Sequence, residues 1–140
     1  MKNILNLVQI TLDGLLDGTG IRVFWGRRAD IDFDANAPEY IIYNLENDEA
    51  GVSADADLYY RIATVTLQYY AKFANVRTYE GRQQTTERLD MIREAMRKAG
   101  FLTAGGWSEI GDVDNVGFAT FRASFETPHY VGGDDGEENG

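Results

Sequence analysis

The stretch YYRIATVTLQYYAKF, residues 59–73, decides the fold. Ala63, Val65, Leu67 and Tyr69 alternate with Thr64, Thr66, Gln68 and Tyr70, and a period of two is that of a β-strand with one buried face. At about 3.3 Å per residue the stretch would reach about 50 Å fully extended, well beyond an ordinary strand. The spacing therefore predicts either a bulge or a strand projecting beyond the domain.

Upstream, EYIIYNLE (residues 39–46) is rich in β-branched and aromatic residues, and Pro38 biases Ala37 toward extended backbone. A second strand is expected there. Between the two lies NDEAGVSADAD, residues 47–57, whose Gly, Ser, Asn and Asp content reads as a long loop. IRVFWG places Ile21, Val23 and Trp25 on one face of a shorter strand ended by Gly26. Before it, Ile4, Leu7 or Val8, Leu12 and Leu15 follow helical spacing over residues 2–16, and DGTG stops that helix.

Downstream, RQQTTERLDMIREAMRKAG carries Leu89, Ile92, Met96 and Ala99 on one helical stripe, widened by Met91 and Ala95, with Gly100 at the stop. Glu87, Arg88, Asp90, Arg93, Arg97 and Lys98 occupy the other side. Its bases gather toward the C-terminal end, where they complement the helix dipole, so this is a solvated face rather than a nucleic-acid patch. FLTAGGWSEIGDV and VGFATFRASFET then flank a tight turn at Asp114 and Asn115. In the last strand Ala119, Phe121, Ala123 and Phe125 oppose Phe118, Thr120, Arg122 and Ser124. The pattern predicts an α+β domain over residues 1–131: a mostly antiparallel sheet of about five strands, a helix packed on one face and an N-terminal helix. Residues 132–140, GGDDGEENG, have too little apolar surface to order themselves and read as a disordered acidic tail.

The 140 residues are 44% hydrophobic, which suits one core. There is no cysteine, so disulfides, thiolate catalysis and the usual structural zinc sites are excluded. The N-terminal stretch is broken by Asn3, Asn6, Gln9, Thr11 and Asp13 and lacks the core of a signal peptide. No run approaches the roughly 20 apolar residues of a membrane span. The expectation is a soluble chain that stays where it is made. Net charge is −10, from 23 acids and 13 bases, and residues 29–60 hold nine acids with no base. Such a surface repels phosphate backbones, since duplex binding works through Lys and Arg displacing counterions. It is compatible with facing DNA without holding it.

No constellation for catalysis is visible. Asp30, Asp32 and Asp34 start like a calcium loop, but Ala35 stands where the turn glycine belongs and Ile41 where the bidentate glutamate belongs. They read as an exposed acidic bend. His129 has no cysteine or second histidine to make a metal site with, and reads as a surface residue. Ser53, Ser108 and Ser124 lie outside any nucleophile-elbow motif, and GTGIRVFWG has no phosphate-cradling lysine. No enzyme activity, cofactor or metal is expected. Tyr60, Ile62 and Tyr70 share the outward face of the long strand, and an apolar stripe there suggests contact with another subunit.

Taken together, RVFWGRRADIDFDANAPEYIIYNLENDEAGVSADADLYYRIATVTLQYYAKF, the helix TTERLDMIREAMRKAGF and VGFATFRASFETPHYV resemble the small tail terminator proteins of long-tailed bacteriophages, also called tail completion or head-tail joining proteins. The similarity covers most of residues 3–130 and rests on the order of elements and on the PEYIIYNL, ADADLYYR and TLQYY pieces. It implies an α/β subunit that assembles as a hexameric ring on the tail tube protein. Such a ring halts tube growth, meets the head-tail connector protein and lets genome DNA pass through its lumen without specific binding. It also implies a place in the virion neck, after assembly in the host cytoplasm. Neighbouring connector components of stopper or adaptor type are of similar size, and an acidic DNA mimic is a rival from another class. Within the ring reading, Arg27 and Arg28 facing acids such as Asp55 and Asp57 across a boundary, with Tyr60, Ile62 and Tyr70, make up the expected interface. The tail and the loop over residues 47–57 are expected to project into ring contacts or the lumen.

Overall fold

The computed structural model describes residues 3–26, 39–50, 59–103, 105–111 and 117–131, with side chains throughout except at 47–50, 59–61, 111 and 129–131. The long alternating stretch forms strand β3, Tyr59–Lys72, following β1, Arg22–Trp25, and β2, Tyr40–Ala50. Three strands complete the sheet: β4, Leu102–Thr103; β5, Ser108–Gly111; and β6, Phe118–Val131. The order is β1-β2-β3-β6-β4, with β5 also pairing β6. Every pair is antiparallel except β1 with β2.

β3 and β6 pair without a break from Tyr59 opposite Val131 to Lys72 opposite Phe118. The irregularity lies instead in β2, where the register against β3 shifts between Leu45 and Asn47. Glu46 sits at that shift and its carboxylate accepts a hydrogen bond from the Thr66 hydroxyl. Residues 47–50, expected to open a loop, continue β2 and pair with β3 down to Ala50 opposite Arg61. Asn, Asp and Glu are weak strand formers, but β3 is already fixed by β6 and offers a ready ladder, so pairing overrides local preference.

One sheet face carries the helices. In α1, Ile4–Leu15, the Asn3 side chain caps the N-terminus by accepting from Asn6 N at 2.9 Å. Ile4, Val8 and Leu12 are buried, and Leu7 only partly so. Gln9 binds α1 to the sheet edge: it accepts from Tyr43 Oη at 2.6 Å and donates to the Val23 carbonyl at 3.3 Å. Trp25, on the same strand face as Val23, is 62% exposed, because it ends the edge strand and has a sheet neighbour on one side only.

The main helix α3, Tyr79–Lys98, starts earlier than the apolar stripe suggests. Thr78 caps it, its hydroxyl accepting from Gly81 N at 3.0 Å, and Glu80 complements the dipole in the first turn. Its far end closes through Gly100 at φ 100°, with Phe101 N donating to the Met96 carbonyl at 2.9 Å and Gly100 N to that of Arg97 at 3.0 Å. That paired closure needs a left-handed residue, which glycine adopts without strain, and it delivers Phe101 into the core. Leu89, Ile92 and Met96 are buried, but Met91 is 53% exposed and does not widen the stripe.

A single-turn helix, α2 over Phe73–Val76, joins β3 to α3 and has no counterpart in the expected order of elements. It packs backbone to backbone on α3: a Cβ at Gly81 would stand 1.8 Å from the Asn75 carbonyl oxygen.

The principal core lies between these helices and Ile41, Tyr43, Ala63, Val65, Leu67, Tyr69, Ala123 and Phe125 of the sheet. A second, smaller cluster occupies one end of the helix-free face, where the Tyr40 and Tyr70 rings stack at 4.5 Å and 13° and Phe118 meets Tyr40 edge-on at 5.2 Å.

Candidate subunit interface

The ends of β3 have opposite characters. At the Tyr59 end, Ala63 and its partner Thr127 form the last buried cross-strand pair on the helix-covered face among the described side chains. Beyond them β3 and β6 continue as a ribbon to Tyr59 and Val131, with β2 as a third strand as far as Ala50 opposite Arg61. β1 stops opposite Tyr43 and β4 opposite Glu126, so among the described residues no strand lies outside either edge of that ribbon. Its reach past Ala63 is about 13 Å at about 3.3 Å per residue. Open strand edges of this kind are templates for pairing with another chain. Leu45 and Leu102 are exposed near its base.

The expected interface residues fall differently. Arg27, Arg28, Asp55 and Asp57 lie outside the described residues. Tyr60 stands in the ribbon opposite Tyr130, and Ile62, half-buried, opposite Pro128. Strand alternation does put Ile62 and Tyr70 on the same, helix-free face. Tyr70, however, is only 6% exposed because the small aromatic cluster covers it within the chain, and Thr64, Thr66 and Gln68 separate it from Ile62. Ile62 and Tyr70 therefore belong to two separate patches, and of their described side chains those of Ile62 and Pro128 reach solvent while that of Tyr70 does not. His129 pairs with Arg61 in the ribbon ladder.

The Lys72 end is organised by Glu39, which is 9% exposed and which sequence reasoning did not single out. Its Oε1 accepts from Tyr69 Oη at 2.6 Å and from Arg88 Nη1 at 3.5 Å. Its Oε2 accepts from the Lys72 backbone N–H at 2.8 Å and from Asn75 Nδ2 at 3.1 Å. One carboxylate thus joins the start of β2, the end of β3, α2 and α3, and its four donors offset the cost of removing it from water. Burial and the adjacent Glu39 charge push the Tyr69 phenol well above its usual range. The one signal in the sequence is an acid directly before the apolar run Tyr40–Tyr43.

Beside this node, a cavity of about 610 Å³ opens between α2, α3 and the β5–β6 pair, lined by Phe73, Arg77, Arg82, Thr86, Glu109 and Phe121 among others. The Arg77 guanidinium lies 5.8 Å from the centre of the Phe73 ring, and Arg82 Nη1 donates to the Val76 carbonyl at 3.4 Å. Among the described residues neither arginine forms a salt bridge. Residues 72–98 hold seven bases and four acids in a chain whose net charge is −10. The α2–α3 layer thus carries a net positive charge, and the rest of the chain taken together a net negative one.

Among the described residues no group of three or more His, Asp or Glu side chains is placed to hold a metal ion, and no helix is long and apolar enough to cross a membrane. Comparison with protein-family models and with curated proteins finds no match for this chain.

Proposed function

We propose that this chain is a structural protein of a long-tailed phage, a tail-terminator-type subunit that forms a ring on the tail tube, stops its polymerisation and joins the tail to the head connector. The observation that carries the reading is the ribbon of β2, β3 and β6, which leaves the helix-covered core with both edges open, while α2, the first turns of α3 and their arginine-lined cavity sit at the opposite end of the same strands. A subunit with unlike surfaces at its two ends is built for head-to-tail contacts, which close into rings when the rotation per subunit permits. The surplus negative charge suits a lumen through which DNA slides, because no counterions are released by contact.

A DNA-mimic reading needs carboxylates in regular rows on a folded face. Among the described side chains the helix-free face offers Glu46 and Glu126 with Arg122 nearby, which is no such row.

The test is to add the purified protein to tail tube protein during its polymerisation and to measure tube lengths by electron microscopy. Arrested tubes with a ring-shaped density at one end are expected. Undiminished growth with bare ends would overturn the proposal.

A further inference from the structure

We infer that the cavity between α2, α3 and the β5–β6 pair receives the acidic outer end of β2 from a second copy of this chain. The inference rests on the ring reading and names the contact that would build the ring.

The cavity has the chemistry of a carboxylate receptor. Arg77 and Arg82 are held in place, one over the Phe73 ring and the other by the Val76 carbonyl, yet among the described residues no carboxylate neutralises either. A planar guanidinium so oriented offers paired N–H donors that match a carboxylate. Phe73 and Phe121 supply an apolar lining, and Thr86 a hydroxyl. Glu109 stands on the β5 side, so the acid-accepting wall is the one formed by α2 and α3.

The occupant follows from charge and from length. Residues 44–50 carry three acids and no base, and two of them, Asp48 and Glu49, belong to the outer end of β2. Within one chain this end cannot reach the cavity. Ala50 pairs with Arg61, whereas Phe73 directly follows Lys72 at the other end of β3, and the strand from Arg61 to Lys72 holds the two roughly 36 Å apart at about 3.3 Å per residue. The acidic end of one copy and the arginines of the next are therefore partners only between molecules. The contact is heterologous, each subunit giving β2 on one side and receiving on the other.

Two variants test this, one in the cavity (Arg77→Ala with Arg82→Ala) and one in the strand end (Asp48→Asn with Glu49→Gln). Molar mass is followed by light scattering, alone and in equal mixture, after circular dichroism has established that each variant folds. The wild-type chain should self-associate with rising concentration, and each variant alone should do so at least tenfold more weakly. Their mixture should form one-to-one pairs and nothing larger, since it contains one intact cavity facing one intact strand end. If wild type and both variants assemble alike, the cavity is not the receptor, although the ring reading stands. If the variants behave as expected but the wild type forms open fibres that leave tail tubes uncapped, the contact is upheld and the tail reading falls. A wild-type chain that remains monomeric up to about 1 mM overturns the inference.

Discussion

Tyr69 Oη stands 2.6 Å from Glu39 Oε1, joining a phenol in the middle strand of the sheet to the carboxylate that heads its neighbour. Arg88 Nη1 reaches both atoms, at 3.3 Å from the phenol oxygen and 3.5 Å from the carboxylate. The pair fixes the corner where β2, β3, α2 and α3 meet.

Replacing the carboxylate should loosen that corner. Glu39→Gln keeps one acceptor oxygen but presents an amide to donors that now oppose it. With Arg88 one-third exposed and so partly hydrated, the expected loss is about 2 kcal/mol. Urea unfolding should show a lower midpoint at unchanged slope.

Tyr69 should also make the fold sensitive to alkali. Burial and then the Glu39 charge raise its pKa, and burial followed by the Asp13 charge raises that of Tyr43. The folded state holds these protons more tightly than the unfolded chain, whose phenols titrate near pH 10. Their stabilisation is therefore complete below about pH 10 and lost as the pH climbs above it, by at most about 1.4 kcal/mol per pH unit for each group. Thermal unfolding between pH 8 and 12 should show the fall, and Tyr69→Phe should flatten it. Equal slopes in the two proteins would remove Tyr69 as the cause.

Gly81→Ala offers a test by sign. At an exposed helical site the change ordinarily stabilises by about 1 kcal/mol. Here the new methyl meets the Asn75 carbonyl at 1.8 Å, so α2 must move, and a net destabilisation of about 2 kcal/mol is expected in calorimetry.

The two tryptophans should differ in access. Trp107 donates to the Leu89 carbonyl at 3.0 Å and packs edge-on against Phe125, whereas Trp25 is exposed. Acrylamide should quench two components in the wild type and only the slow one in Trp25→Phe.

Much of this architecture is legible in local pattern. The alternation around Val65 and Leu67 assigns β3, and the stripe of Leu89, Ile92 and Met96 assigns α3, because each period is fixed by backbone geometry. What escapes is set by partners far off in sequence. Glu39 bonds to residues 30 to 49 positions away, so nothing in its neighbourhood marks it as a node. Alternation places Tyr70 on the helix-free face but does not say that Tyr40 and Phe118 cover it there. The four residues of α2 are too few to show a period.

The β3–β6 ladder also implies an order of events during folding. Lys72 pairs with Phe118 across the span that α2 and α3 shorten, and each rung toward Tyr59 and Val131 closes a longer segment of chain. Closure entropy rises with that length while the buried reward ends at Ala63. The sheet should accordingly zip from its α2 end outward. The ribbon end would be the last part to form and the first to open, so its amides should exchange with solvent well before those of the core strands.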